Sequence, residues 1–138
     1  METVLIVDDN DLFRKLVRDS LLSRMPSLKI SEARGRKEAL EMIRTSSPDL
    51  VLMDIRLSDG NGLGLTRQVK RQHPDIKIVI LTSYDQREHR EAAFRCKADQ
   101  YVAKDTFLSV LGSHLPEILP RSTPSKHERK NMVPSDFD

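Results

Sequence analysis

Four hydrophobic runs in this chain each end on a residue that can handle charge. Val4-Leu5-Ile6-Val7 ends on Asp8 and Asp9, and Leu50-Val51-Leu52-Met53 ends on Asp54. The run from Ile76 to Leu81 ends on Thr82, and Tyr101-Val102-Ala103 ends on Lys104. If the runs are parallel strands, these residues share the carboxyl edge of one sheet, where open α/β sheets bind ligands. Three close carboxylates repel one another and raise each other's proton affinity, so a bound cation is the ready way to keep them ionised. Mg2+ suits such a set, because it takes oxygen ligands, few of them from protein, and keeps waters that a phosphate oxygen can replace. Asp54, which ends the most apolar run, would project from mid-edge and could attack phosphorus to give an acyl phosphate. The cation and Lys104 would neutralise charge on the transferring group, and Thr82 could hydrogen-bond a phosphoryl oxygen.

The elements that must position these residues alternate along the chain. A strand over Thr3 to Asp8 is followed by a helix from about Asp11 to Arg24, with Phe13, Leu16, Val17 and Leu21 on one face. Leu28 to Ala33 is a more polar strand whose alternation predicts a sheet edge. After Gly35, Lys37 to Thr45 reads as a helix that buries Ala39, Met42 and Ile43. Leu50 to Asp54 is apolar on both faces, as a central parallel strand should be. Ser58 to Gly64 reads as a turn, and a helix then runs to Gln72, where His73-Pro74 stops it. A strand over Ile76 to Leu81, a helix capped by Asp85 and running to Cys96, a strand over Gln100 to Ala103 and a helix from about Thr106 complete the pattern. Pro116 predicts a kink or an end near Leu115.

This is an α/β chain of (βα)5 type. Right-handed crossovers cover both faces of a parallel sheet, and the flavodoxin-like doubly wound order 2-1-3-4-5 makes strands one and three neighbours. Asp8, Asp9 and Asp54 end those two strands, so topology brings together what sequence distance separates.

Size and composition set bounds. The chain has 138 residues, 23 Lys and Arg against 21 Asp and Glu, a formal net charge of +2 and one cysteine. That balance gives no strong steering toward nucleic acid or membrane. Cys96 alone forms no internal disulfide and fits a reducing compartment, or simply a small core residue. No apolar stretch reaches bilayer length and the N-terminus shows no signal-peptide pattern, so a cytoplasmic location is expected. The histidines are scattered and make no metal site. Gly60-Asn61-Gly62-Leu63-Gly64 has no following Lys-Ser or Lys-Thr pair and reads as a turn, not a phosphate cradle. From Pro120 onward Pro, Ser, Lys, Arg and His dominate, which predicts a domain over 1–119 and a flexible tail or linker over 120–138. Arg121, Lys126, Arg129 and Lys130 are interleaved with acids there and read as a solvated linker.

The runs and their endings resemble the receiver domain of bacterial two-component response regulators over about residues 2–118. The matching residues are Val7-Asp8-Asp9, Leu52-Met53-Asp54, Leu81-Thr82-Ser83, Tyr101, and Lys104 with Asp105. The resemblance implies that Asp54 is the phosphoacceptor, that Asp9 and Asp54 hold Mg2+ with the backbone carbonyl of Arg56, and that Asp8 acts on it through water. It further implies that Lys104 binds phosphate, that Thr82 and Tyr101 form the switch pair, and that Arg56 and Tyr84 set the rate of dephosphorylation. Partners implied are a histidine kinase or phosphotransfer protein and a downstream protein partner, reached through the surface of helix four, strand five and helix five. A monomer until phosphorylated is implied, with a phosphorylation-dependent dimer left open. Such a protein is a signalling switch that assists its own phosphorylation and dephosphorylation.

The pattern has departures. Asp105 follows Lys104 where many receivers have proline and a cis bond; a cis bond without proline is costly, so a trans bond is expected. Lys104-Asp105-Thr106 is most similar to receivers that carry helix-turn-helix outputs. Ser58 stands where proline is common, and Lys97 stands where glycine commonly ends the fourth helix. Simpler roles remain for single residues: Thr82 as a helix cap, Tyr101 as a static core aromatic. A constitutive interaction module on the same fold is the rival function, with the intact acidic and lysine positions against it. A haloacid-dehalogenase-like phosphatase needs an aspartate where Arg56 stands. No helix-turn-helix unit is visible after residue 119, so nucleic acid would be contacted only through an output domain absent from this sequence; a stand-alone receiver and the receiver portion of a longer regulator both fit.

Overall fold

The computed structural model describes residues 3–83 and 86–111. In chain order the elements are β1 (Thr3–Val7), α1 (Asp11–Arg24), β2 (Lys29–Ala33), α2 (Arg36–Ser46), β3 (Leu50–Asp54), the short strands β4 (Arg56–Leu57) and β5 (Gly60–Asn61), α3 (Gly62–Gln72), β6 (Lys77–Thr82), α4 (Arg87–Arg95), β7 (Gln100–Ala103) and α5 (Lys104–Leu111). The main sheet is parallel and ordered β2-β1-β3-β6-β7. This is the expected 2-1-3-4-5 order once the β4–β5 hairpin is set apart.

Strand alternation splits the core in two. Leu5, Val7, Val51, Met53, Ile78 and Ile80 pack with α2, α3 and α4 residues such as Ala39, Ile43, Leu65, Val69 and Ala93. Val4, Ile6, Leu50, Leu52, Val79 and Leu81 pack instead with Phe13, Val17 and Leu21 of α1 and Phe107 of α5. Both faces of β3 are therefore covered, and all five of its residues are buried. β2 is an edge strand, as its alternation predicts.

Several expected boundaries shift, each for a local reason. The β4–β5 hairpin begins at Arg56, before the expected Ser58–Gly64 turn, and only β5 lies within that turn; α3 starts earlier, at Gly62, because the Asn61 side chain caps it by accepting from the Leu63 N–H at 2.7 Å. β6 runs one residue further than expected and includes Thr82. α4 starts at Arg87, with Gln86 at its cap position. α5 starts at Lys104, two residues early. On α1, Leu16 belongs to the outer face: it is 46% exposed while Phe13, Val17 and Leu21 are buried. The inward stripe runs through Arg14 instead. Met42 of α2 is only partly buried against the core.

Among the described residues there is no cis peptide bond, as expected at Asp105. Lys97 has φ 72, the left-handed region in which a side chain costs modest strain. Tyr84, Asp85, Pro116 and residues 120–138 lie outside the described residues.

Candidate functional site

Strand register sets the site. Val7 pairs with Met53, so Asp8 and Asp54, the next residues on β1 and β3, stand level on the carboxyl edge. Asp54 itself pairs with Leu81, and Leu81 with Val102. Thr82 and Ala103 lie one step further out, and Lys104 a step beyond them. The Lys104 side chain folds back across the edge. Its ammonium lies 2.7 Å from Asp8 Oδ2 and 3.4 Å from Asp54 Oδ2. The same nitrogen sits 4.4 Å from the centre of the Phe13 ring, a cation–π contact that anchors it from below.

Local bonds hold the loops that carry the carboxylates. The Asn10 side chain caps α1 by accepting from the Phe13 N–H at 3.0 Å. Asp8 Oδ1 accepts from the Asn10 N–H at 2.8 Å, and Asp54 Oδ1 accepts from the Ile55 N–H at 2.8 Å. Gly62 touches the main chain of Asp54 directly, and its N–H donates to the Ile55 carbonyl at 2.6 Å. The loop after β3 is also tied to α2: the Asp59 carboxylate accepts from the Arg36 and Lys37 N–H groups at 2.6 and 3.1 Å. It thereby supplies the cap that Gly35 cannot, and those N–H groups hold the Asp59 carboxyl below the usual carboxylate range. A Cβ at Gly35 would lie 2.4 Å from Asp59 Oδ1, so the close approach depends on glycine there.

Carboxylate oxygens of Asp8, Asp9 and Asp54 lie within 4.8 Å of one another. Asp8 and Asp54 are buried and Asp9 is exposed, so the cluster opens to solvent on one side. Burial, then the Asp8 charge, pushes the Asp54 carboxyl from 3.8 up to about 6, against the opposing pull of Lys104 and the Ile55 N–H. Burial also pulls the Lys104 ammonium down, but its bonds to Asp8 and Asp54 outweigh this and hold it above its usual range. One ammonium therefore leaves the site with excess negative charge. Three converging hard oxygen donors, one of them facing solvent, fit a divalent cation that keeps part of its water shell.

Thr82 is fully buried at the end of β6. The cap position of α4 is Gln86. Tyr101 is half-buried against the core on the α2–α4 side, with the Arg90 guanidinium 5.4 Å from the centre of its ring. Arg56 is exposed in β4. The structure thus brings Asp8, Asp9, Asp54 and Lys104 together, with Thr82 on the adjacent strand end.

A family model described as the response regulator receiver domain matches residues 4–115. The chain belongs to this family. The response regulator protein VraR of Staphylococcus saprophyticus is 35% identical over 106 residues, covering 77% of this chain and 51% of that protein. The DNA-binding transcriptional activator DevR/DosR of Mycobacterium tuberculosis is 38% identical over 106 residues, covering 76% and 48%. The chain therefore spans about half the length of these curated relatives. A crystal structure of a LuxR-family two-component response regulator from Aurantimonas sp. SI85-9A1 superposes with a TM-score of 0.75 at 26% identity, covering 99% of this chain and 98% of that one. Receiver domains are signalling units that bind Mg2+ at an acidic pocket, and Asp8, Asp9 and Asp54 are the acidic cluster of this receiver. Among the described residues no helix is long and apolar enough to cross a membrane.

Two residues that shape the site escaped the sequence reading. Asp59 carried no signal beyond its place in a polar turn. Arg14 carried one: it lies three and seven residues before Val17 and Leu21, on the buried stripe, where an arginine needs partners.

Proposed function

We propose that this receiver is a phosphorylation switch in which Asp54 accepts a phosphoryl group from a histidine kinase or phosphotransfer protein in a Mg2+-dependent step. The observation that carries this reading is the buried Asp54 carboxylate, facing Lys104 at 3.4 Å beside two further aspartates. Asp9, Asp54 and the Arg56 carbonyl would hold Mg2+, with Asp8 acting through water. Bound there, the ion supplies positive charge against the charge on the transferring phosphoryl oxygens. An Asp54 oxygen forms the new bond to phosphorus as the bond to the donor imidazole nitrogen breaks, and the imidazole leaves with its electron pair. Lys104 is already held by Asp8 and can follow the charge as it moves outward. Phosphorylation adds nearly two negative charges, which draw in Lys104 and the Thr82 hydroxyl. Tyr101 then shifts inward, and the surface of α4, β7 and α5 changes its preference for partners. The change works only through the differential stability of two states.

Residues 1–119 form the receiver unit in this reading and 120–138 a linker or tail. The relative DevR/DosR, a DNA-binding transcriptional activator, supports an output unit joined through that linker as one partner of the switch; a separate protein is the other.

Intact mass after incubation with acetyl phosphate tests the proposal. One added phosphoryl group that requires Mg2+, and is lost in Asp9→Asn at the same ion concentration, is the expected result. Equal labelling with and without the ion would contradict it. Arg56 and Tyr84, each two residues beyond an active position in the sequence, have large side chains, and in this reading they slow water attack on the acyl phosphate. Arg56→Ser combined with Tyr84→Ala should shorten the phosphoryl half-life severalfold; an unchanged half-life would remove both positions from the account.

A further inference from the structure

Arg14 lies in the first turns of α1, and it is one of the few buried charged residues among those described, 8% exposed. A cation near a helix N-terminus opposes the helix dipole, and burying it is costly unless every donor finds a partner. The fork of the guanidinium is spent on three. Nη1 donates to the main-chain carbonyl of Asp8 at 2.5 Å, Nε donates to Glu32 Oε1 at 3.1 Å, and Nη2 pairs with the Asp11 carboxylate. Glu32 is steadied in turn by Arg18, whose Nη1 lies 2.9 Å from Oε2. The edge strand β2 is thereby bolted to the end of β1.

We propose that Arg14 is a positioning residue for the cation-binding loop, fixing the Asp8–Asp9 peptide plane through the Asp8 carbonyl and so the aim of the Asp9 carboxylate. The inference rests on the reading that Asp9 and Asp54 hold the ion. Every other polar group of Asp8 has its own partner: the N–H donates to the Ala33 carbonyl at 3.0 Å, Oδ1 accepts from Asn10 and Oδ2 meets Lys104. Only the carbonyl orients the next peptide. Among the described residues no side chain holds the exposed Asp9 carboxylate, so its direction is inherited from that peptide. Groups that hold metal ligands in place typically govern metal affinity strongly.

The sign of the effect separates positioning from simple electrostatics. Removing a positive charge beside an acidic cluster should tighten cation binding by Coulomb attraction alone. Loss of positioning weakens it. Calorimetric titration of the full chain with Mg2+ reads the difference, with Asp54→Asn as the control for the site itself. Arg14→Met should weaken Mg2+ binding about tenfold, Arg14→Lys should recover part of the loss, and Lys15→Met, which removes an exposed charge of the same helix, should stay close to wild type. Unchanged or tighter binding by folded Arg14→Met overturns the inference. If Arg14→Met does not fold, Arg14→Gln, which removes the same positive charge, should weaken binding in the same direction; unchanged or tighter binding there overturns it as well. A wild type that binds no Mg2+ overturns the underlying site reading and this inference with it, whereas a wild type that binds while Arg14→Met binds equally overturns the inference alone.

Discussion

Asp54→Asn should abolish phosphoryl labelling and, at the same time, make the receiver more stable at neutral pH. The two effects share one cause. The Asp54 carboxyl is pushed from 3.8 to about 6 by burial and by Asp8, so the folded state holds its proton more tightly than the unfolded chain does. The ionised carboxylate therefore strains the fold fully above about pH 6, and the strain is relieved as pH falls through that value toward 4. The asparagine keeps the shape without the charge, and Lys104 keeps its closer partner Asp8 at 2.7 Å. Urea unfolding should show a gain for Asp54→Asn of no more than about 3 kcal/mol at pH 8, shrinking toward zero near pH 4. Saturating Mg2+ should narrow the gap at pH 8 by stabilising the wild type. A variant less stable than wild type at pH 8 would mean that the Lys104 contact outweighs burial and that Asp54 is a structural ion-pair residue.

Gly62→Ala should produce the largest loss of stability. A Cβ at Gly62 would lie 1.8 Å from the Asp54 carbonyl oxygen, 2.8 Å from its carbon and 3.1 Å from the Ile55 Cα. All three are main-chain atoms at the end of the central strand, so no side chain can swing aside. Either the N-terminus of α3 withdraws, breaking the Gly62 N–H bond to Ile55, or the end of β3 moves and takes Asp54 with it. Overpacking against rigid backbone should cost about 3 kcal/mol or more, and labelling should fall even in the folded fraction. Gly64, two residues further along α3, is the internal control. A Cβ there meets nothing within 4 Å, and alanine is the better helix former, so Gly64→Ala should stabilise by about 0.5–1 kcal/mol. Equal and small effects at the two glycines would contradict the packing described.

What the sequence made legible follows from where its signals are strong. The apolar runs and their polar endings carry strand identity, order and the positions of Asp8, Asp9, Asp54 and Lys104, because a buried parallel strand must be apolar and its ligand-facing end must not be. The pattern is weaker where a residue serves a tertiary partner. Leu16 fits the apolar stripe of α1 by spacing yet faces outward, and Arg14 takes the inward place because Asp8, Asp11 and Glu32 neutralise it. The start of α3 was hidden inside a glycine-rich stretch, since Gly62 is needed for its contact with Asp54 and not for a turn. The cap of α2 comes from Asp59, 23 residues from Arg36, and no local pattern announces a cap supplied from another loop. Lys97, which stands where glycine commonly ends the fourth helix, takes the left-handed backbone at φ 72 although its side chain disfavours it.

The proposed switch depends on Asp54 as the residue that takes the phosphoryl group. The most direct measurement is to label the receiver with acetyl phosphate and Mg2+, reduce the acyl phosphate with borohydride and map the modified residue by peptide mass spectrometry. Modification at Asp54, absent when Mg2+ is withheld, is the predicted result. Modification at another residue, or an equal level in Asp54→Asn, would contradict it.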